Sequence, residues 1–200
     1  FRYAFQHASP QTSAEHQQLQ QLPAAELAEE CVFEMMRQVL ESLGCSSSSR
    51  ETFASDAFFC TVHLADMAHF AAANRGYSRA LRSLARAPTR ACVQSELPRG
   101  VPAAVEVIAM AKTAAHANKT LHVQSTSEWA PPCIGPYSQA TTVAETFVVM
   151  CGMLALEPSL VSIPLALKTS ARLQTLACVR NIDATMRVLE TDLSHVVAIQ

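Results

Sequence analysis

LHVQSTSEWAPPCIGPYSQA, residues 121–140, is a dense run of turn and polar residues that frames what lies on either side of it. It packs turn residues (Pro131, Pro132, Gly135, Pro136) and potential site residues (Tyr137, Ser138, Gln139) into one ordered run, unlike a generic strand. Outward from it, extended segments are expected around Leu121 to Ser125 and from Val143 to Leu156. A helix follows, with Leu173, Leu176, Val179, Ile182, Met186 and Leu189 at helical steps, and a last strand opens at Val196.

Upstream, Leu27, Cys31, Val32, Met35, Val39, Leu40 and Leu43 recur at three- and four-residue steps, so Ala25 to Leu43 reads as an amphipathic helix closed by Gly44. Ala57 to Leu64 alternates Phe58, Cys60, Val62 and Leu64 with Phe59, Thr61 and His63, the pattern of a strand under a helical layer. Asp66 then caps a second helix whose inward stripe is expected to be Met67, Phe70, Asn74, Tyr77, Leu81 and Leu84, with Pro88 as its stop. Strands follow at about Arg90 to Leu97 and Ala103 to Met110. The polar segment with Gln17, Gln18, Gln20 and Gln21 and the run Ser46 to Ser49 read as connectors. Arg37-Gln-Val-Leu-Glu-Ser42 is echoed by Met186-Arg-Val-Leu-Glu-Thr191, each in a long helix followed by a strand, which indicates a degenerate repeat.

Composition narrows the function classes. The chain has 200 residues, 50% of them hydrophobic, enough to bury a real core in one large or two small domains. A formal net charge of −2 without a basic run disfavours nucleic-acid partners, whose affinity rests on clustered Lys and Arg. The seven cysteines form no C-x-x-C pair and sit mostly in apolar stretches. They read as reduced small hydrophobes, and the expected location is cytoplasmic. His63 and His69 have no spacing partners that would complete a metal set, so no metal is expected. The longest apolar run, Phe147 to Leu156, is far short of the roughly 20 residues a bilayer requires, so no membrane partner is expected. Phe1 in place of an initiator Met, and Gln200 inside an expected strand, give the expectation of further residues at one or both ends.

The run Ala130-Pro131 followed by Ile134-Gly135-Pro136-Tyr137-Ser138-Gln139-Ala140 resembles the A-P-x-x-I-G-P-Y-S-Q-A signature of the reactive-intermediate deaminase family, called Rid or YjgF-type. Its preface, L-H-V-Q-S-x-S-x-W-A-P, is similar to the version in the C-terminal region of eukaryotic diphthine–ammonia ligases. Pro88-Thr-Arg-Ala-Cys-Val93 and Leu97-Pro-Arg-Gly-Val, continued by Val105-Glu106-Val-Ile-Ala109, resemble the family's P-x-R-S-C-V and L-P-x-x-x…I-E-A-I-A segments. The resemblance implies an α+β fold of two chorismate-mutase-like Rid domains, each a mixed β-sheet with two helices packed on one face. Residues 1–112 would be the first copy, lacking its opening strands and starting on a remnant third strand from Phe1 to Pro10. Residues 113–200 would be the second, lacking its closing half. Helix-free sheet faces need cover, so a homo-oligomer with trimer-like packing is implied.

The resemblance also implies a chemistry: water adds to the electrophilic carbon of an imine, ammonia leaves, and a positioned carboxylate handles the proton. Arg90 would grip the acid group of a small imino acid with two parallel donors, Glu106 would place the water, and Tyr137 would supply a phenol near the leaving nitrogen. Cys92, Cys151 and Gly152 would line the pocket. Cys151 and Met153 stand where the family usually has Ser and Gln, which removes two polar groups. The pocket is expected between the copies, where Arg90 of the first meets Tyr137 of the second. Plain readings stand beside these: Arg90 as a solvated strand cation, Glu106 as an outward-facing carboxylate, Tyr137 as a packed turn aromatic, Asn74 and Tyr77 as helix-packing residues, and Cys92 as a buried, inert thiol.

Three functions follow as expectations. The first is the C-terminal Rid-like region of a diphthine–ammonia ligase, acting in diphthamide formation on elongation factor 2, with an assembly, docking or ammonia-handling role. No Gly-rich phosphate loop occurs here, so no cofactor is expected in this chain and ATP is expected only on an N-terminal domain outside it. The second is a working imine/enamine deaminase. The third is the endoribonuclease or translation-inhibitor activity that older family labels carry, which lacks a basic groove here.

Overall fold

The computed structural model describes residues 2–7, 22–42, 57–82, 87–110 and 118–199. The expected Gly44 cap, Leu84, both connector segments, Cys45 and the boundary between the two copies lie outside them. The first sheet is mixed and four-stranded, in the order β1 (Arg2–His7), β4 (Ala103–Ala109), β2 (Ala57–Leu64), β3 (Thr89–Gln94). β4 runs antiparallel to both β1 and β2, and β2 runs parallel to β3. Two helices, α1 (Ala24–Ser42) and α2 (Phe70–Leu81), cover one face. A 3-10 turn at Met67–His69 leads into α2, and its Ala68 amide donates to the Asp66 carboxylate at 2.8 Å.

The period of each element explains the layer between sheet and helices. Val32, Met35, Met36 and Val39 on α1 meet the alternate residues Cys60, Val62 and Leu64 of β2 and Val105 and Val107 of β4, and all are buried. Tyr77 and Leu81 of the expected α2 stripe are buried and Phe70 packs against the core, but Ala72, Ala73, Gly76 and Ala80 are buried too, whereas Met67 is exposed and Asn74 only half-buried. The reason is the closeness of the α1–α2 crossing. A Cβ on Gly76 would stand 2.1 Å from the Glu29 carbonyl oxygen, so only small side chains fit that seam.

Residues 118–199 form a three-stranded antiparallel sheet, β5 (Lys119–Leu121), β6 (Ala140–Val143) and β7 (Phe147–Met150). A short helix, α3 (Leu165–Lys168), and a long one, α4 (Ala171–Val188), follow. This sheet is antiparallel where a mixed one was expected, and the expected single extended run after Val143 is a hairpin turning at Ala144 and Glu145. Asn181 anchors α4 by donating to the carbonyls of Leu154 and Leu156. The strand expected from Val196 is absent among the described residues: Leu193–His195 is a 3-10 turn, and 196–199 lie beside no strand that would complete their hydrogen bonds.

The two sheets are stitched at the start of β3. Ser138 bridges Thr89 in parallel, its amide donating to the Pro88 carbonyl and its hydroxyl to the Ala87 carbonyl. Thr89 and Thr141 share a buried hydroxyl bond of 2.7 Å, and the Gly152 amide donates to the Arg90 carbonyl at 3.1 Å. No helix among the described residues is long and apolar enough to cross a membrane.

Candidate functional site

The stitching delivers Arg90 and the turn around Tyr137 to one place. Arg90 pairs with Cys60 on β2, and Cys60 with Val107 on β4, so the Arg90 side chain shares the helix-covered face. There it is 4% exposed, its guanidinium carbon 4.7 Å from the centre of the Tyr77 ring and 5.4 Å from that of Tyr137. Aromatic faces attract a guanidinium, yet they do not neutralise it. Among the described residues no carboxylate lies within ion-pair distance of Arg90. A buried cation without a counter-ion is costly, and an anionic ligand is the group that completes such a site.

The surroundings are neutral and soft. Burial pushes the Cys60 thiol up to about 12 against the opposing pull of Arg90, and burial likewise raises Cys151 and Cys133 to about 12 and Tyr137 from 10.0 to about 12. Burial raises Cys92 as well, with Arg90 opposing. These thiols are protonated at neutral pH and are not nucleophiles there. The Tyr77 hydroxyl, fully buried, has no hydrogen-bond partner among the described residues, the Cys60 thiol beside it being a weak acceptor.

The turn that brings Tyr137 is held by Gln139, itself 1% exposed. Its side-chain oxygen accepts from the Val123 amide at 2.7 Å, and its side-chain nitrogen donates to the carbonyls of Val123 and Pro131. Gly135 follows from that clamp: a Cβ there would stand 3.4 Å from an Arg90 terminal nitrogen and 3.3 Å from the Tyr137 ring. On its outer side, Gly135 opens onto a cleft of about 490 Å³ between the turn and α2, lined also by Asn74, Arg75, Ser78, Arg79 and Arg82.

Of the residues singled out in the sequence, the structure brings together Arg90, Tyr137, Cys92, Cys151 and Gly152. Glu106 is apart from them: it pairs across the sheet with Thr61, which pairs with Ala91, so it faces away from Arg90. Its carboxylate lies 3.7 Å from His63 Nε2, while His63 Nδ1 is 2.8 Å from the Ser95 hydroxyl. Asn74 and Tyr77, read from the sequence as helix packing, border the cleft and the guanidinium respectively. A signal for Asn74 was there, in the polar i, i+4, i+8 stripe of Asn74, Ser78 and Arg82. No group of three or more His, Cys, Asp or Glu side chains among the described residues is arranged to hold a metal ion.

A mixed sheet with two helices on one face, matched by a family model for Endoribonuclease L-PSP over residues 7–112, places the chain in a defined class. This chain belongs to the Endoribonuclease L-PSP family, the group also called Rid or YjgF. Its sequence is 32% identical over 131 residues to a diphthine–ammonia ligase of Schizosaccharomyces pombe, covering 66% of this chain and 21% of that one. The chain thus spans about a fifth of the length of that curated relative. Similar solved structures include yeast Mmf1, at 32% identity with a TM-score of 0.34, covering 42% of this chain and 63% of that one. A member of the YjgF protein family from Neisseria meningitidis is 23% identical, with a TM-score of 0.36, covering 44% and 70%.

Proposed function

We propose that this chain is the Rid-like region of a diphthine–ammonia ligase and that its pocket binds a small carboxylate-bearing molecule, in the service of assembly, substrate docking or ammonia handling. Its matching halves would be two diverged copies, 1–112 and 113–200, meeting at that pocket. The observation that carries the reading is Arg90: a guanidinium 4% exposed, between two tyrosine rings, with no carboxylate partner among the described residues. A planar fork of donors in a low-dielectric site recognises a carboxylate by two parallel hydrogen bonds. The 32% identity to the S. pombe ligase supports the parent protein, whose ATP-dependent amidation would belong to a domain outside this chain and whose substrate would be elongation factor 2. Trimer-like association through the helix-free sheet face belongs to the same proposal.

Binding without turnover is favoured because the pocket holds neutral thiols where hydrolysis requires a proton acceptor, and Glu106 faces away from Arg90. The adjacency of Arg90 and Tyr137 favours a second reading, imine hydrolysis, in which water adds to the C=N carbon and ammonia departs. RNA cleavage has the least support, given a net charge of −2. Calorimetry with butyrate and 2-oxobutyrate, alongside an ammonia-release assay on freshly generated 2-iminobutyrate, tests these together. Carboxylate binding that is lost in Arg90→Ala, with no ammonia released, is the expected result. Ammonia release that Arg90→Ala abolishes would establish the second reading, and no binding of any small carboxylate would overturn both.

A further inference from the structure

The cleft outside Gly135 is larger than a four-carbon acid needs, and its polar groups are arranged in a line. Asn74, Ser78 and Arg82 are spaced by four residues along α2, so they share one stripe, and Arg82 stands about 12 Å further along the axis than Asn74. The cleft's volume, about 490 Å³, falls among those of small-molecule sites.

Charge along the stripe is unequal. Arg75 Nε donates to Glu29 at 2.8 Å, and Arg79 donates to Glu30 at 2.7 Å while lying 3.8 Å from the centre of the Phe33 ring. Those two cations are occupied. Arg82, exposed at the end of the stripe, has no ion-pair partner among the described residues. Three arginines against Glu29 and Glu30 leave one positive charge, and it sits at Arg82.

We infer that the ligand is an elongated acid with anionic groups at both ends: one reaches Arg90 past Gly135, and the other is held at Arg82, with Asn74 and Ser78 bonding the polar atoms between. This rests on the proposed reading of Arg90. Gly135 is where the two stations approach each other: it lines the cleft, and a Cβ on it would stand 3.4 Å from an Arg90 terminal nitrogen. Apolar flanks at Ile134 and Pro136 suit a methylene spacer.

The test is calorimetry with hexanoate, adipate and suberate on the parent chain, Arg82→Gln and Arg90→Gln. A diacid should bind about fivefold more tightly than hexanoate, the scale of one partly solvated ion pair. Arg82→Gln should erase that preference and leave hexanoate affinity unchanged, while Arg90→Gln should abolish binding of all three. Equal affinities for diacid and monoacid in the parent, or a preference that survives Arg82→Gln, would overturn the inference and leave the Arg90 reading standing. Hexanoate binding that survives Arg90→Gln, or no binding by any of the three acids, would bring down the Arg90 reading and this inference with it.

Discussion

The Gly152 amide donates to the Arg90 carbonyl at 3.1 Å, so the loop leaving β7 is bonded to the residue that carries the pocket's charge. One peptide further along that strand edge, Thr89 meets Ser138. The guanidinium is therefore positioned from its own backbone as well as by the two rings that flank it, and substitutions can separate charge from scaffold.

Arg90→Met keeps an unbranched chain in the same space and removes a buried charge that has no carboxylate partner among the described residues. Replacing such a charge by an apolar group is stabilising, by about 1 kcal/mol or more, set against a cation–π loss of similar size or smaller. The variant should melt at or above the parent temperature while losing butyrate binding. A large fall in Tm would show instead that the guanidinium holds the fold together.

Gly76→Ala addresses the helix seam. With its Cβ 2.1 Å from the Glu29 carbonyl oxygen, a backbone atom that cannot swing aside, α1 and α2 must separate. The expected cost is about 3 kcal/mol, at the upper end for overpacking, read from denaturant unfolding by circular dichroism.

Alkaline stability follows from the thiols. Burial raises Cys60, Cys133 and Cys151 from 9.0 to about 12. The folded chain therefore holds these protons more tightly than the unfolded one, and the associated stability is fully present below pH 9.0 and lost as pH rises toward about 12. Tm should be flat near neutrality and fall across that window, and Cys151→Ala should fall less steeply. Iodoacetamide should label these three cysteines slowly in the folded protein at neutral pH, as judged by mass spectrometry.

Gln139→Leu leaves the Val123 amide and the Val123 and Pro131 carbonyls without their side-chain partner in a buried site. A cost of about 2–3 kcal/mol is expected from unfolding curves. Carboxylate affinity should drop with it, because the same clamp sets the turn carrying Gly135 and Tyr137. Unchanged affinity in a destabilised variant would uncouple the clamp from the pocket.

Much of the first sheet and both of its helices was legible because period and caps agree there: alternation in Ala57–Leu64, helical spacing in α1, and Asp66 before the next helix. The β6–β7 hairpin was not, since its turn uses Ala144 and Glu145 at positive φ, 50° and 55°, where a sequence reading looks for Gly or Asn. On α2 the large buried residues Tyr77 and Leu81 were legible but the small ones, Ala72, Ala73, Gly76 and Ala80, were not, because the tightness of the seam with Glu29 is a tertiary fact that only Gly76 hints at. Arg90 illustrates the same limit at the site. A lone cation on a strand reads as solvated, and only the turn 131–139, remote in sequence, encloses it.

Thr89 against Ser138, and Gly152 against Arg90, join segments of a single continuous chain. Closure of the pocket is accordingly a first-order event, unaffected by dilution, and each copy of the polypeptide owns both walls. Either wall is then free to change without a matching change in a second chain, so Cys151 and Met153 on the Tyr137 side need no counterpart in a partner.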